Sequence, residues 1–130
     1  MVDPRGVTLP KSNTDQLIKL GLSIKEMRQC FDETFDKEII KSCSIIFGMH
    51  PDEATDAIVE IAGKFSKSFA VVPCCVFPTK FVGRFLKNGE FVVEYEQFVK
   101  YIQEIVESSS VFFMNFKGRN KVIFKIKDHI

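Results

Sequence analysis

Apolar positions recur along this chain with two periods, three to four residues and two, and the switches between them mark out the elements. Ser12-Asn13-Thr14-Asp15 offers caps for a short helix over Gln16 to Leu20, ended by Gly21. Ser23 with Glu26 matches a capping box. Met27, Cys30, Phe31 and Phe35 then share a face, which predicts a helix over Ile24 to Phe35, with Ile39 and Ile40 leading toward a strand. Cys43 to Phe47 is nearly continuous apolar sequence, the pattern of a strand buried on both faces in a parallel sheet. Pro51-Asp52-Glu53 opens the next helix, with an apolar stripe of Ala54, Ala57, Ile58, Ile61, Ala62 and Phe65. Phe69 to Val72 is a second buried strand, so this stretch reads as a right-handed βαβ unit.

Thr79 to Gly89 is basic and reads as irregular, and Val92 to Val106 as a helix with Phe98, Ile102, Ile105 and Val106 inward. Val111 to Phe116 and Lys121 to Lys127 predict two antiparallel strands around Lys117-Gly118-Arg119-Asn120, the second alternating between Val122, Phe124, Ile126 and lysines. The expected architecture is α/β: a small mixed, mostly parallel sheet flanked by helices, its two parallel strands central and a C-terminal antiparallel hairpin at or near the edge. Residues 1–130 are about one domain's worth of chain.

Composition changes this picture little. Eighteen basic and seventeen acidic residues give a net charge of +1, so no long-range field selects a partner. Lys117, Arg119, Lys121, Lys125 and Lys127 cluster near the C-terminus, as either a solvated strand face or a phosphate-binding patch. The fourteen phenylalanines suit a bulky core better than a stacking surface. The start of the chain lacks the apolar core of a signal peptide and no apolar run approaches membrane-spanning length. The expectation is an intracellular protein, cytoplasmic or nuclear, with reduced thiols and no membrane partner.

Candidate chemistry gathers where the two buried strands end, because ligands of open α/β sheets bind beyond the carboxyl ends of parallel strands. Gly48-Met49-His50-Pro51 follows the first strand and Pro73-Cys74-Cys75 the second. His50 sits at a strand-to-helix corner, where backbone N–H groups of the following turn could bind an anion; a ring that merely caps the corner is the alternative. Asp52 and Asp56 are four apart on one helix face, suited to acid–base work or simply to the helix dipole. Cys74 or Cys75 could act as a nucleophile with His50, or serve as buried filler and pocket lining. Lys80, Arg84 and Lys87 could contact phosphates or lie in solvent. No C-x-x-C spacing, Walker loop, G-x-G-x-x-G, G-x-S-x-G or H-E-x-x-H occurs, and with His50 and the terminal His129 as its two histidines the chain is not expected to hold a dedicated transition-metal site.

GMHPDEATDAIV followed by FAVVPCCVFP resembles the C-terminal half of class I S-adenosylmethionine-dependent methyltransferases. More narrowly it is similar to a poorly characterised eukaryotic methyltransferase-like group, and more distantly to tRNA 2′-O-methyltransferases acting on the acceptor stem. Gly48, His50, Ala54, Thr55, Asp56, Cys74 and Cys75 carry the match, and GRNKVIFKI resembles the last hairpin of the narrower group. The tRNA enzymes continue their cysteine pair with histidines, where this chain has Val76-Phe77-Pro78. The resemblance implies that Asp3 of VDPR stands where the family's ribose-binding acid does, with Gly48 also on the cofactor side. It implies that His50, Met49, Pro51, Asp52, Pro73 and Arg84 line a substrate pocket, with Cys74 and Cys75 as its opposite wall. It further implies that the family's first strand and glycine-rich loop are missing, so that S-adenosylmethionine is held poorly unless a further segment or a partner completes the fold. RNA or such a completing protein is the expected partner. A non-catalytic assembly module, dimerising through an open sheet edge, is the alternative, and a cysteine-dependent enzyme a third reading.

Overall fold

The computed structural model describes residues 1–127, so His129 lies outside the described residues. The chain forms two compact units, one of Met1–Phe35 and one from Asp36 onward. In the first unit, helix α1 spans Lys11–Lys19, starting five residues before the expected Gln16, with Pro10 at its N-cap and none of the polar run acting as a side-chain cap. The helix expected over Ile24 to Phe35 does not form. Met27 instead makes a parallel bridge to Val2, its N–H donating to the Met1 carbonyl at 2.9 Å and its carbonyl accepting from Asp3 N–H at 3.1 Å. Glu26 accepts from Val7 N–H at 2.9 Å, so it does not close a capping box on Ser23. Long-range backbone partners have displaced the local helical ones that spacing alone suggested.

The second unit is the α/β part. Helix α2, Lys37–Ser42, takes in Ile39 and Ile40, which were expected to lead toward a strand; Asp36 caps it by accepting from Glu38 N–H at 2.9 Å, and Ile40 is buried. Strands β1 (Ile45–Met49) and β2 (Ser68–Val72) are joined by a 3-10 turn, Asp52–Ala54, and helix α3 (Thr55–Lys64). Helix α4 (Tyr95–Ile105) leads into β3 (Ser110–Phe113) and β4 (Lys121–Lys125). Glu94 and Gln97 close a capping box at the start of α4. The sheet order is β1-β2-β4-β3, with β1–β2 parallel and the other two pairs antiparallel. The sheet is therefore mixed, but not mostly parallel, and β1 is an edge strand and not a central one.

The edge position explains a second departure. β1 is buried on one face only. Ile46 and Gly48 turn toward α3, while Ile45, Phe47 and Met49 are 47%, 61% and 48% exposed. Register puts these three on the same side as Ala70 of β2, Phe124 of β4 and Phe112 of β3, and Phe112 is 60% exposed. One face of the sheet thus carries α3 and α4, and the other presents apolar side chains at both edges. Gly48 marks the closest approach on the covered face, since a Cβ there would lie 2.5 Å from Ile58 Cδ1 and 3.1 Å from Pro51.

Residues 73–94 connect β2 to α4 and owe their path to Arg84. This side chain is buried, although its basic, loop-like surroundings suggested a solvated or ligand-facing group. Nε and Nη2 donate to Asp56 Oδ2 of α3 at 2.8 and 2.6 Å, and Nη1 donates to the Val76 carbonyl. The guanidinium lies over two rings, 3.8 Å from the Phe81 centroid and 4.3 Å from that of Phe98 of α4. Planarity, five donors and weak hydration suit arginine to such a slot.

Removing one partner of a buried pair leaves an uncompensated charge. Arg84→Met should lower unfolding stability by about 3 kcal/mol or more. The double variant Arg84→Met/Asp56→Leu should recover over half of that loss, as read from denaturant midpoints at unchanged slope. A single-variant loss under about 1 kcal/mol would show the pair to be worth no more than a surface one.

Candidate functional site

β1 and β2 run parallel in a register that pairs Gly48 with Val71 and Met49 with Val72, so the two strands end side by side. His50 N–H extends the ladder one step by donating to the Val72 carbonyl at 3.0 Å. The chain then leaves the sheet through a strained corner, with His50 and Asp52 both at φ 49° on either side of Pro51. Left-handed backbone at non-glycine residues costs roughly 1–3 kcal/mol each and persists where the surroundings enforce it. Here Thr55 Oγ1, fully buried, donates to the Asp52 carbonyl at 2.9 Å and ties the corner to α3.

Across the corner, the second strand end supplies Pro73, Cys74 and Cys75. Cys74 Sγ donates to Asp52 Oδ1 at 3.1 Å. One ligand-type atom from each of Asp52, Cys74 and Cys75 lies within 4.8 Å of the others. Asp52 and Asp56, expected to share one helix face, and Glu53 between them thus have separate fates. Asp56 takes Arg84, Glu53 takes Lys80, and Asp52 turns to the thiols. Burial, then the Asp52 carboxylate, pushes the Cys74 thiol up to about 11.

His50 is exposed, and its Nε2 lies 3.1 Å from the Arg119 carbonyl in the β3–β4 turn. A carbonyl can only accept, so Nε2 donates in this contact. The Phe116 ring meets His50 edge-on at 6.4 Å. The hairpin turn therefore flanks the corner, and its Arg119 lies over Tyr95 together with Lys121 of β4, at 4.9 and 5.7 Å from that ring. Spacing alone could not bring Arg119 to His50, 69 residues away.

The remaining expected site residues take other roles. Met49 is half exposed on the uncovered sheet face, Pro73 is fully buried, and Pro51 packs near Gly48. Arg84 is occupied by Asp56 and Val76 and is not open to a substrate. Asp3 lies in the N-terminal unit, where Arg5 takes both carboxylate oxygens, through its backbone and Nε to Oδ1 and through Nη2 to Oδ2. Those bonds hold the Asp3 carboxyl down to about 2. Asp3 is thus engaged by Arg5, and at Gly48 the space a side chain would need is filled by Ile58 and Pro51.

No family model matches the chain, and no solved structure matches it. Among curated proteins it is similar to a probable tRNA (uracil-O(2)-)-methyltransferase of Caenorhabditis briggsae, 30% identical over 90 residues that make up 65% of this chain and 14% of that protein. A protein of the same name from Caenorhabditis elegans is 32% identical over 69 residues, 48% of this chain and 12% of its own length. The chain thus spans only a small part of the relatives it matches. These similarities support a methyltransferase-like relationship.

The raised thiol has a consequence in solution. Because folding raises the Cys74 pKa from 9.0 to about 11, its contribution to stability is fully present below pH 9 and lost as pH rises toward 11. Stability should fall across that window, and Cys74→Ala should flatten the fall. In the same window Cys74 should alkylate more slowly than an unperturbed thiol, because it stays protonated. An ordinary thiolate titration of Cys74, followed by site-resolved alkylation, would contradict this.

Proposed function

We propose that this chain forms the acceptor side of an S-adenosylmethionine-dependent RNA methyltransferase of the class I fold, with tRNA as the acceptor class. The observation that carries this reading is the meeting of His50, at the carboxyl end of β1, with the basic β3–β4 turn through the Arg119 carbonyl. A histidine beside exposed Lys117 and Arg119 is a fitting place for a nucleotide: the cations position phosphate, and the ring meets what the phosphate brings. The names of the two relatives support the acceptor class. Methyl transfer depends chiefly on alignment of the acceptor, so a strained, braced corner suits it.

The cofactor side would come from a further segment or partner chain packed on β1, whose free edge and exposed Ile45, Phe47 and Met49 await a neighbour. The same surface favours a second reading, a non-catalytic assembly module that dimerises through β1. The cysteine-dependent enzyme fits less well: Cys74 is raised rather than activated, and His50 Nε2 is directed to a carbonyl.

Residues 1–130 should bind tRNA in a fluorescence anisotropy titration. Lys117→Ala/Arg119→Ala should weaken binding about tenfold and reduce the salt slope by about 2. Calorimetry with S-adenosylmethionine alone should show no micromolar binding. Absence of tRNA binding at low salt, or binding indifferent to the two substitutions, would overturn the acceptor-side reading. Micromolar cofactor binding would overturn the divided site, and a tight homodimer without RNA affinity would favour the assembly module.

A further inference from the structure

We propose that Asp52, Cys74 and Cys75 form a binding site for a thiophilic divalent cation, with zinc the best match and one coordination position left open. Sequence spacing did not suggest a metal site, because adjacent cysteines lack the C-x-x-C form and the third ligand lies 22 residues before Cys74. The parallel register of β1 and β2 supplies what spacing could not, by ending both strands at one place.

The geometry is close to what an ion needs. A tetrahedral zinc ion holds sulfur and oxygen ligands roughly 3.5–3.8 Å from one another, given its usual bond lengths. The three ligand atoms here already lie within 4.8 Å of one another, and Cys74 Sγ is 3.1 Å from Asp52 Oδ1. Both backbones are held from outside the cluster. The Arg84 guanidinium donates to the Val76 carbonyl directly after Cys75, and Thr55 Oγ1 donates to the Asp52 carbonyl.

The charge balance points the same way. Glu53 and Asp56 have cations of their own, Lys80 and Arg84, whereas among the described residues no lysine or arginine lies within ion-pairing distance of Asp52. A carboxylate left with two thiols as its company is matched by a cation that displaces the thiol protons. Two sulfurs and one oxygen favour zinc over magnesium or calcium, which take oxygen ligands. Among the described residues no other group of three such side chains converges. Three protein ligands leave the fourth tetrahedral position to water or to an oxygen donor of a bound ligand. The site does not depend on the acceptor-side reading.

The test uses residues 1–130, reduced and stripped of metal, titrated with zinc against a chromophoric chelator. One equivalent should bind, and magnesium should not compete. Cys75→Ser and Asp52→Asn should each weaken binding at least about tenfold, and Cys74→Ser/Cys75→Ser should abolish it. Cys30→Ser and Cys43→Ser should leave the affinity unchanged. Cobalt in place of zinc should show a thiolate charge-transfer band that Cys75→Ser diminishes. Because Cys74 is buried, its replacement could unfold the chain; half-buried Cys75 and the near-isosteric Asp52→Asn, each checked by melting curve, carry the test in that event. Failure to bind stoichiometric zinc, binding that survives the double serine variant, or binding lost with Cys30 or Cys43 would overturn the site.

Discussion

The pairing of Arg84 with Asp56 is the interaction on which the rest of this fold depends. One guanidinium joins α3, through Asp56, to the segment that follows β2, through the Val76 carbonyl, and wedges against Phe98 of α4. Without it, residues 73–94 would have to find another path between sheet and helix. With it, Cys74 and Cys75 are held opposite the corner that carries Asp52. The charge is expensive to bury, and it is tolerated because all three of its nitrogen groups are used and two aromatic rings lie against it.

Much of the second unit was legible in the sequence. The polar corner between β1 and α3, the buried run of β2, helix α4 and the terminal hairpin all came from local pattern, although Ile105 of the expected inward stripe is exposed and β4 buries Ile123 in place of the alternating Val122, Phe124 and Ile126. What was not legible depended on partners far along the chain. The stripe from Met27 to Phe35 has helical spacing, but Met27 is claimed by the backbone of Met1 and Asp3. The apolar run before Gly48 reads as a doubly buried strand, yet sheet order leaves β1 at the edge with one face open. Arg84 looked solvated because its neighbours are polar; only the fold reveals that Asp56, 28 residues away, sits across from it. The site behaved likewise: His50, Asp52, Cys74 and Cys75 each stood out singly, while the division into a His50–Arg119 side and an Asp52–Cys74–Cys75 side came from register.

The uncovered sheet face completes this picture. Phe47 and Phe112 at opposite edges are 61% and 60% exposed, and among the described residues no strand pairs with the outer edge of β1. Exposed apolar surface of this kind marks a place where another segment packs. In the proposed function, that surface is the joint between the acceptor side and the cofactor side.

The central claim is that Arg84 holds both strand ends together as one site. Alkylation of Cys74 at fixed pH, resolved by mass spectrometry and compared between the native chain and Arg84→Met, tests it most directly. The clamp predicts that Cys74 labelling accelerates at least about tenfold while labelling of Cys43 is unchanged, because the opening is local. A Cys74 rate that does not move, or one that rises only in step with Cys43, would contradict it.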